Sequence, residues 1–134
     1  YTSGSTGQPK GVMVTHKNIM ENEAMIKDFF NHSEENTTVV GWLPFFHDMG
    51  LIGNILQPLF LGSQCILTPY IDVLQTPYLW LKMISDYKIK SLFTAPTAFR
   101  AIKKEDPEGK FFSKYDLGSF ESLFLAGEFL QKYI

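Results

Sequence analysis

Cysteine is almost missing from this chain: Cys65 stands alone in 134 residues, so no disulfide can form within it. It lies in the apolar run "QCILT", which reads as a buried strand, and the expectation there is a small inert core residue rather than a reactive thiol. An excess of either charge is missing too. Twelve Lys and Arg against 14 Asp and Glu leave a net charge of -2, which excludes binding of nucleic acid or of an anionic membrane by bulk charge. Long hydrophobic runs are also absent: the longest, "MGLIGNILQPLFLGS", is broken by Asn54, Gln57 and Pro58 and is too short for a transmembrane segment. No basic stretch followed by an apolar one opens the sequence. With so little cysteine, a reducing, cytoplasmic compartment is the expectation. No His, Cys, Asp and Glu cluster has metal-ligand spacing, so no protein-held metal site is expected.

What is there describes a globular chain: 45% hydrophobic, 15% aromatic with 12 Phe, and 19% charged. The length suits one domain, in which a complete fold would bury about 70% of the unfolded surface. The chain starts inside the loop-like "YTSGSTG" and stops at "EFLQKYI", and it reads as an excised piece of a larger protein.

Periodicity gives alternating strands and helices. "GVMVTH" alternates as a short strand, and the helix-like "KNIMENEAMIKDFF" places Ile19, Ile26 and Phe30 near one face. "TTVVGWL" reads as a strand, Met49 to Leu61 as a helix, and "SQCILTP" as a strand before a loop. Thr76 is the expected N-cap and Pro77 the expected first residue of a helix whose Trp80, Met83, Ile84 and Tyr87 recur at helical spacing. "KSLFTAP" then reads as a strand, "PTAFRAIKK" as a helix opened by Pro96, and "FESLFLAGE" as a final strand. This order predicts an α/β fold with a parallel-rich sheet and crossover helices.

The opening "YTSGSTGQPKG" is small, hydroxyl-rich and carries one lysine. Small residues let backbone N–H groups converge on an anion, hydroxyls add donors, and lysine adds a compact positive charge, which together describe a phosphate cradle. The spacing is neither that of a Walker A loop nor G-x-G-x-x-G. On composition alone, a flexible Gly/Ser linker remains equally open.

The sixteen residues "YTSGSTGQPKGVMVTH" resemble the phosphate-binding signature of the adenylate-forming, acyl-activating enzyme superfamily, which includes acyl-CoA synthetases, fatty acyl-AMP ligases, luciferases and peptide-synthetase adenylation domains. "WLPFFHDMGLIGNILQPLFLGS" is similar to the next core motif of that family, in the form closest to fatty acyl-AMP ligases. "LFTAPTAFRAIKKEDPEG" and "LFLAGE" are more like acetyl- and propionyl-CoA synthetases. The resemblance implies that residues 1–134 are a fragment of the AMP-binding (adenylation) domain, within the large N-terminal domain of an acyl-adenylating ligase. The implied activity is attack of a carboxylate, most simply of a fatty acid, on the α-phosphorus of ATP, with Mg²⁺ and with release of pyrophosphate. The implied acceptor is an acyl carrier protein or CoA. A short-chain acyl-CoA synthetase and an inactive nucleotide- or acyl-binding module are the alternatives, and the fragment alone is expected to be inactive.

By resemblance, Thr2, Ser3, Gly4, Ser5, Thr6, Gly7 and Lys10 bind the ATP phosphates, with Lys10 and His47 as the catalytic residues. Phe46, His47, Ala95, Pro96, Ala126, Gly127 and Glu128 are implied to line the acyl and adenylate pocket. Phe129 stands where the family commonly has proline. Asp48 is expected to cap the helix that follows it. His16 and His32 are expected to be surface or turn residues.

Overall fold

The computed structural model describes residues 1, 2, 4, 7–35 and 37–125. Among these described residues four short strands form one parallel sheet in the order β2-β1-β3-β4. They are β1 (Thr38–Gly41), β2 (Gln64–Leu67), β3 (Ser91–Thr94) and β4 (Ser122–Leu125). The two inner strands carry the buried apolar residues: Val39, Val40, Leu92 and Phe93 are all at most 4% exposed. This is the pattern of strands covered on both faces, and it predicts helices above and below.

Helix α1 (His16–Phe30) precedes the sheet. Its start is fixed by a reciprocal capping box, in which Asn18 N–H donates to Thr15 Oγ (3.2 Å) and Thr15 N–H donates to Asn18 Oδ1 (3.0 Å). Its end is fixed by Asn31, which adopts the left-handed conformation at φ 51°. Thr15→Ala is expected to cost about 1 kcal/mol and to lower the melting temperature by a few degrees, measured by thermal unfolding of the whole protein.

From β1 the chain runs through α2 (Asp48–Leu51), a π-helical turn (Ile52–Leu56) and α3 (Gln57–Leu61) as one continuous helical stretch. It then enters β2 at the sheet edge. The return passes through α4 (Tyr70–Gln75) and α5 (Leu79–Tyr87) to β3, on the other side of β1. Helix α6 (Pro96–Glu105) and a 3₁₀ turn (Phe112–Lys114) lead to β4.

Because parallel crossovers share one hand, reversing direction at β1 puts the two sets of helices on opposite faces. Side-chain contacts agree. Phe30 of α1 meets Phe93 and Phe124 with ring centroids 5.8 and 6.2 Å apart. On the other face Trp42 stacks on Tyr70 of α4, and Trp80 of α5 meets Phe99 of α6 edge-on at 5.0 Å. Trp80, Leu81, Ile84, Leu92 and Ile102 are nearly inaccessible there.

Several expectations are corrected. "GVMVTH" forms no strand: Val12, Met13 and Val14 are exposed, and Thr15 caps α1 instead. Alternation marks a strand only when a neighbouring strand pairs with it, and none does among the described residues. Thr76 ends α4 rather than capping α5, which starts two residues later than expected; the Thr76 carbonyl accepts from Leu79 N–H (2.9 Å). The loop expected after β2 contains α4. His47 takes the N-cap position of α2 and Asp48 is its first residue, although the Asp48 carboxylate still accepts from Met49 N–H (2.7 Å). His32 is buried, not a surface residue. Its Nε2 lies 2.6 Å from Ser91 Oγ, which in turn meets Ser122 Oγ at 2.5 Å, so that the end of α1 is tied to the starts of β3 and β4. Burial, with the charge of Lys90 adding to it, lowers the His32 pKa to about 4 and keeps the ring neutral. The "AGE" end of the last expected strand lies outside the described residues.

Candidate active site

The N-terminal loop is closed on itself by backbone bonds. Thr2 N–H donates to the Lys10 carbonyl (2.9 Å), and Lys10 N–H donates to Thr2 Oγ (3.0 Å). Inside this clasp Gly7 N–H donates to the Gly4 carbonyl (3.0 Å). Gly4 sits at φ +74°, and a Cβ there would come within 2.9 Å of the Gly7 carbonyl oxygen and of the Pro9 ring. Glycine is required by both conformation and space. Lys10 is exposed, so its ammonium group is open to a ligand. The Thr2 hydroxyl accepts from Lys10 and keeps its own proton to donate. Of the other residues implied to hold phosphate, Ser3, Ser5 and Thr6 lie outside the described residues.

Beside this loop opens a cavity of about 720 Å³. Tyr1 and Thr2 of the loop border it, as do Phe46, His47 and Asp48 from the segment after β1. The rest of its wall is mainly apolar: Ile26 and Phe30 from α1, Met49, Ile52 and Gly53 from the long helical stretch, and Phe93 and Phe124 from β3 and β4. Phe93 and Phe124 are register partners, so one aromatic step spans two strands. The cavity thus lies over the β3–β4 pair of the sheet, beside the segment that leaves β1. Its lining combines hydroxyl and imidazole groups with a larger share of hydrocarbon, which suits a molecule with an anionic head and an alkyl tail.

His47 is held by its neighbour. Asp48 Oδ1 lies 2.9 Å from His47 Nδ1 and 2.7 Å from Met49 N, so the carboxylate fixes both the imidazole and the first turn of α2. The alternative acceptor for Met49 N–H, His47 Nδ1 at 3.3 Å, is the poorer one. Gly50 allows the tight return behind this motif, because a Cβ there would stand 2.3 Å from the Pro44 carbonyl oxygen.

Phe46 and His47 are therefore brought to the cavity together with the start of the N-terminal loop. Ala95 and Pro96 are not among its lining residues: two and three positions beyond Phe93, Ala95 takes the N-cap position of α6 and Pro96 is buried at its first position. Ala126, Gly127 and Glu128 lie outside the described residues. Sequence reasoning missed the roles of Asn22, Gly53, Phe93 and Phe124. A signal existed for Gly53, since a glycine inside a helix costs about 1 kcal/mol against alanine and asks for a reason. The reason is Phe93, whose ring atoms would lie 2.7 to 3.0 Å from a Cβ at that position.

Behind the cavity wall sits a buried carboxyl group. Glu23 of α1 is 1% exposed, and burial alone raises its pKa from 4.5 to about 7. Because the folded state holds this proton more tightly, the stability it favours is present below pH 4.5 and is lost as pH rises through 7. The loss amounts to about 3 kcal/mol at most. The Cys65 thiol, half-buried on β2, is pushed up to about 11 by burial and donates to the Asn54 carbonyl (3.1 Å), which marks it as inert. Among the described residues no group of three His, Cys, Asp or Glu side chains converges to hold a metal, and no helix is long and apolar enough to cross a membrane.

Comparison with known proteins adds independent findings. The model of the AMP-binding enzyme family matches residues 1–134. The chain is 44% identical over 128 residues to the medium-chain-fatty-acid acyl-carrier-protein ligase TtuA of Teredinibacter turnerae, covering 96% of this chain and 20% of that protein. A Mycobacterium tuberculosis protein with the provisional name fatty-acid–CoA ligase is 36% identical over 142 residues, covering 98% of this chain and 23% of that one. Among solved structures, the fatty acyl-adenylate ligase of Legionella pneumophila, crystallised with acyl adenylate and pyrophosphate, superposes with a TM-score of 0.83 at 39% identity, over 98% of this chain and 23% of that chain. The chain thus spans about a fifth of the length of the relatives it matches.

Proposed function

The chain belongs to the AMP-binding enzyme family, and from that premise we propose that the protein carrying it activates a fatty acid with ATP to form an acyl-adenylate. In this reaction a carboxylate oxygen of the acid bonds to the α-phosphorus, the bond from that phosphorus to the bridging oxygen breaks, and pyrophosphate leaves. No protein nucleophile is needed. The protein must hold two anions in line and stabilise the charge that gathers on the leaving group. The observation that carries this proposal is the shared cavity, whose lining joins Thr2 of the clasped loop and His47 to an aromatic and aliphatic wall.

In this arrangement Lys10 and the Thr2 hydroxyl face the β- and γ-phosphates, which arrive as their Mg²⁺ complex. His47, braced by Asp48, stands where the carboxylate meets the α-phosphate. Its role is positioning and charge stabilisation, since the incoming acid is already ionised at neutral pH. The alkyl chain lies against Ile26, Phe30, Gly53, Phe93 and Phe124. An acyl carrier protein is the proposed acceptor, supported by the relative of that activity at 44% identity. CoA is the second acceptor, favoured by the relative named for CoA ligation.

The test is to give the full-length protein ATP, Mg²⁺ and a medium-chain fatty acid, with holo acyl carrier protein or CoA, and to follow pyrophosphate and thioester. Acid-dependent pyrophosphate release and acyl transfer to the carrier are expected. Acyl-CoA as the sole thioester would overturn the acceptor assignment, and an absence of acid-dependent pyrophosphate exchange would overturn the activity itself.

A further inference from the structure

We propose that Glu23 and Gln57 form a buried clasp that sets the distance between α1 and the helical stretch 48–61, and through it the width of the cavity that takes the acyl chain. Glu23 lies on α1 between Asn22 and Ile26, both of which line the cavity. Gln57 follows Ile52 and Gly53, which line the facing wall, at the junction of the π-helical turn and α3. The two side chains are 1% and 0% exposed. With its amide nitrogen turned towards α1, Gln57 donates to the Glu23 backbone carbonyl (3.1 Å) and to the Glu23 carboxyl. The clasp therefore joins the two walls directly behind the surface that a ligand would touch.

Its chemistry makes it adjustable. Residues 52–61 contain no titratable side chain, so nothing on the π-helical turn or α3 compensates a charge on Glu23. Asp48, which opens the preceding α2, lines the cavity, and Glu34 packs over Gly62 just beyond the end of α3. On α1 itself His16, Lys17, Glu21, Lys27 and Asp28 are exposed. The second carboxyl oxygen of Glu23 meets no donor among the described residues. A neutral Glu23 accepts from Gln57 and carries no charge to desolvate, whereas an ionised one leaves a full buried charge beside apolar helix surface and favours separation of the walls. Burial places this transition near pH 7. Glu23 is a positioning residue, and it acts on the acid and not on ATP.

This inference rests on the proposed acyl site, and two readouts separate its failure from failure of that site. In the full-length protein, the KM for a medium-chain fatty acid is expected to rise several-fold from pH 6.5 to 8.5. In Glu23→Gln it is expected to stay flat, with kcat and the KM for ATP unchanged between the two proteins. Independently of activity, Glu23→Gln is expected to melt higher than wild type at pH 8, with the difference vanishing near pH 5. Coincident melting profiles across this range would overturn the clasp even if the enzyme adenylates fatty acids. A shifted melting profile with no acid activation would retain the clasp as a stability device and remove its proposed effect on the acid. Equal pH dependence of the acid KM in both proteins would overturn its control of the cavity. Gln57→Met provides a second variant that removes the donor without touching Glu23; it is expected to raise the acid KM at pH 6.5, and an unchanged KM in that variant also counts against the clasp.

Discussion

Replacing Lys10 by alanine is expected to slow acyl-adenylate formation by about a hundredfold or more while leaving the melting temperature nearly unchanged. The size follows from the role: a single positive charge beside the leaving pyrophosphate, whose removal leaves that developing charge to hydroxyls and backbone N–H groups. The stability expectation follows from the geometry. Lys10 holds Thr2 through its backbone N–H and carbonyl, and alanine keeps both of these bonds. Its side chain is exposed and supports no core contact. Acid-dependent pyrophosphate exchange and a thermal melt on the same preparation check the two parts together. If activity and melting temperature fall in parallel, Lys10 is a structural residue and the phosphate role is lost.

Gly53→Val is expected to convert the enzyme towards short acids. The new side chain would meet the Phe93 ring, whose nearest atoms would already be 2.7 to 3.0 Å from the Cβ. Phe93 is 4% exposed and has Phe30 and Phe124 rings 5.8 Å away, so it has little room to retreat except into the cavity. Lost space for two or three methylenes, each contributing about 0.8 kcal/mol, corresponds to a loss in kcat/KM on the order of ten- to a hundredfold for long acids. Short acids would be nearly unaffected. Overpacking is also expected to lower stability by about 1–3 kcal/mol. The decisive quantity is the ratio of kcat/KM values across chain lengths within the one variant, which cancels any uniform loss of folded protein. A ratio equal to that of the wild type would show that this wall does not meet the acyl chain.

Much of this was legible in the residues. The β-branched run at 37–40 and the apolar "SLF" at 91–93 read as buried strands because an inner parallel strand needs hydrocarbon on both faces. Pro96 marked the start of α6 because proline fits the first turn of a helix, where its missing N–H is not needed. The opening loop could be described as a phosphate cradle from its small and hydroxyl residues, but composition left a linker equally open; the long fixed pattern separated the two. Other features depended on partners that sequence does not show. Val12 and Val14 alternate like a strand, yet strand formation is decided by a neighbour. Thr76 has good capping chemistry, yet it was taken by α4, whose six residues are too few to display a period. His32 looked like a turn residue because its hydrogen-bond partner, Ser91, lies 59 positions away. The cavity wall was hardest to read, since Ile26, Gly53, Phe93 and Phe124 come from four separate segments and resemble ordinary core.

The most direct measurement is a crystal structure of the full-length protein with ATP and Mg²⁺. The Lys10 ammonium and the Thr2 hydroxyl are expected within hydrogen-bonding distance of β- or γ-phosphate oxygens, with the α-phosphate directed towards His47. Triphosphate bound elsewhere, with residues 1–11 turned to solvent, would contradict the assignment.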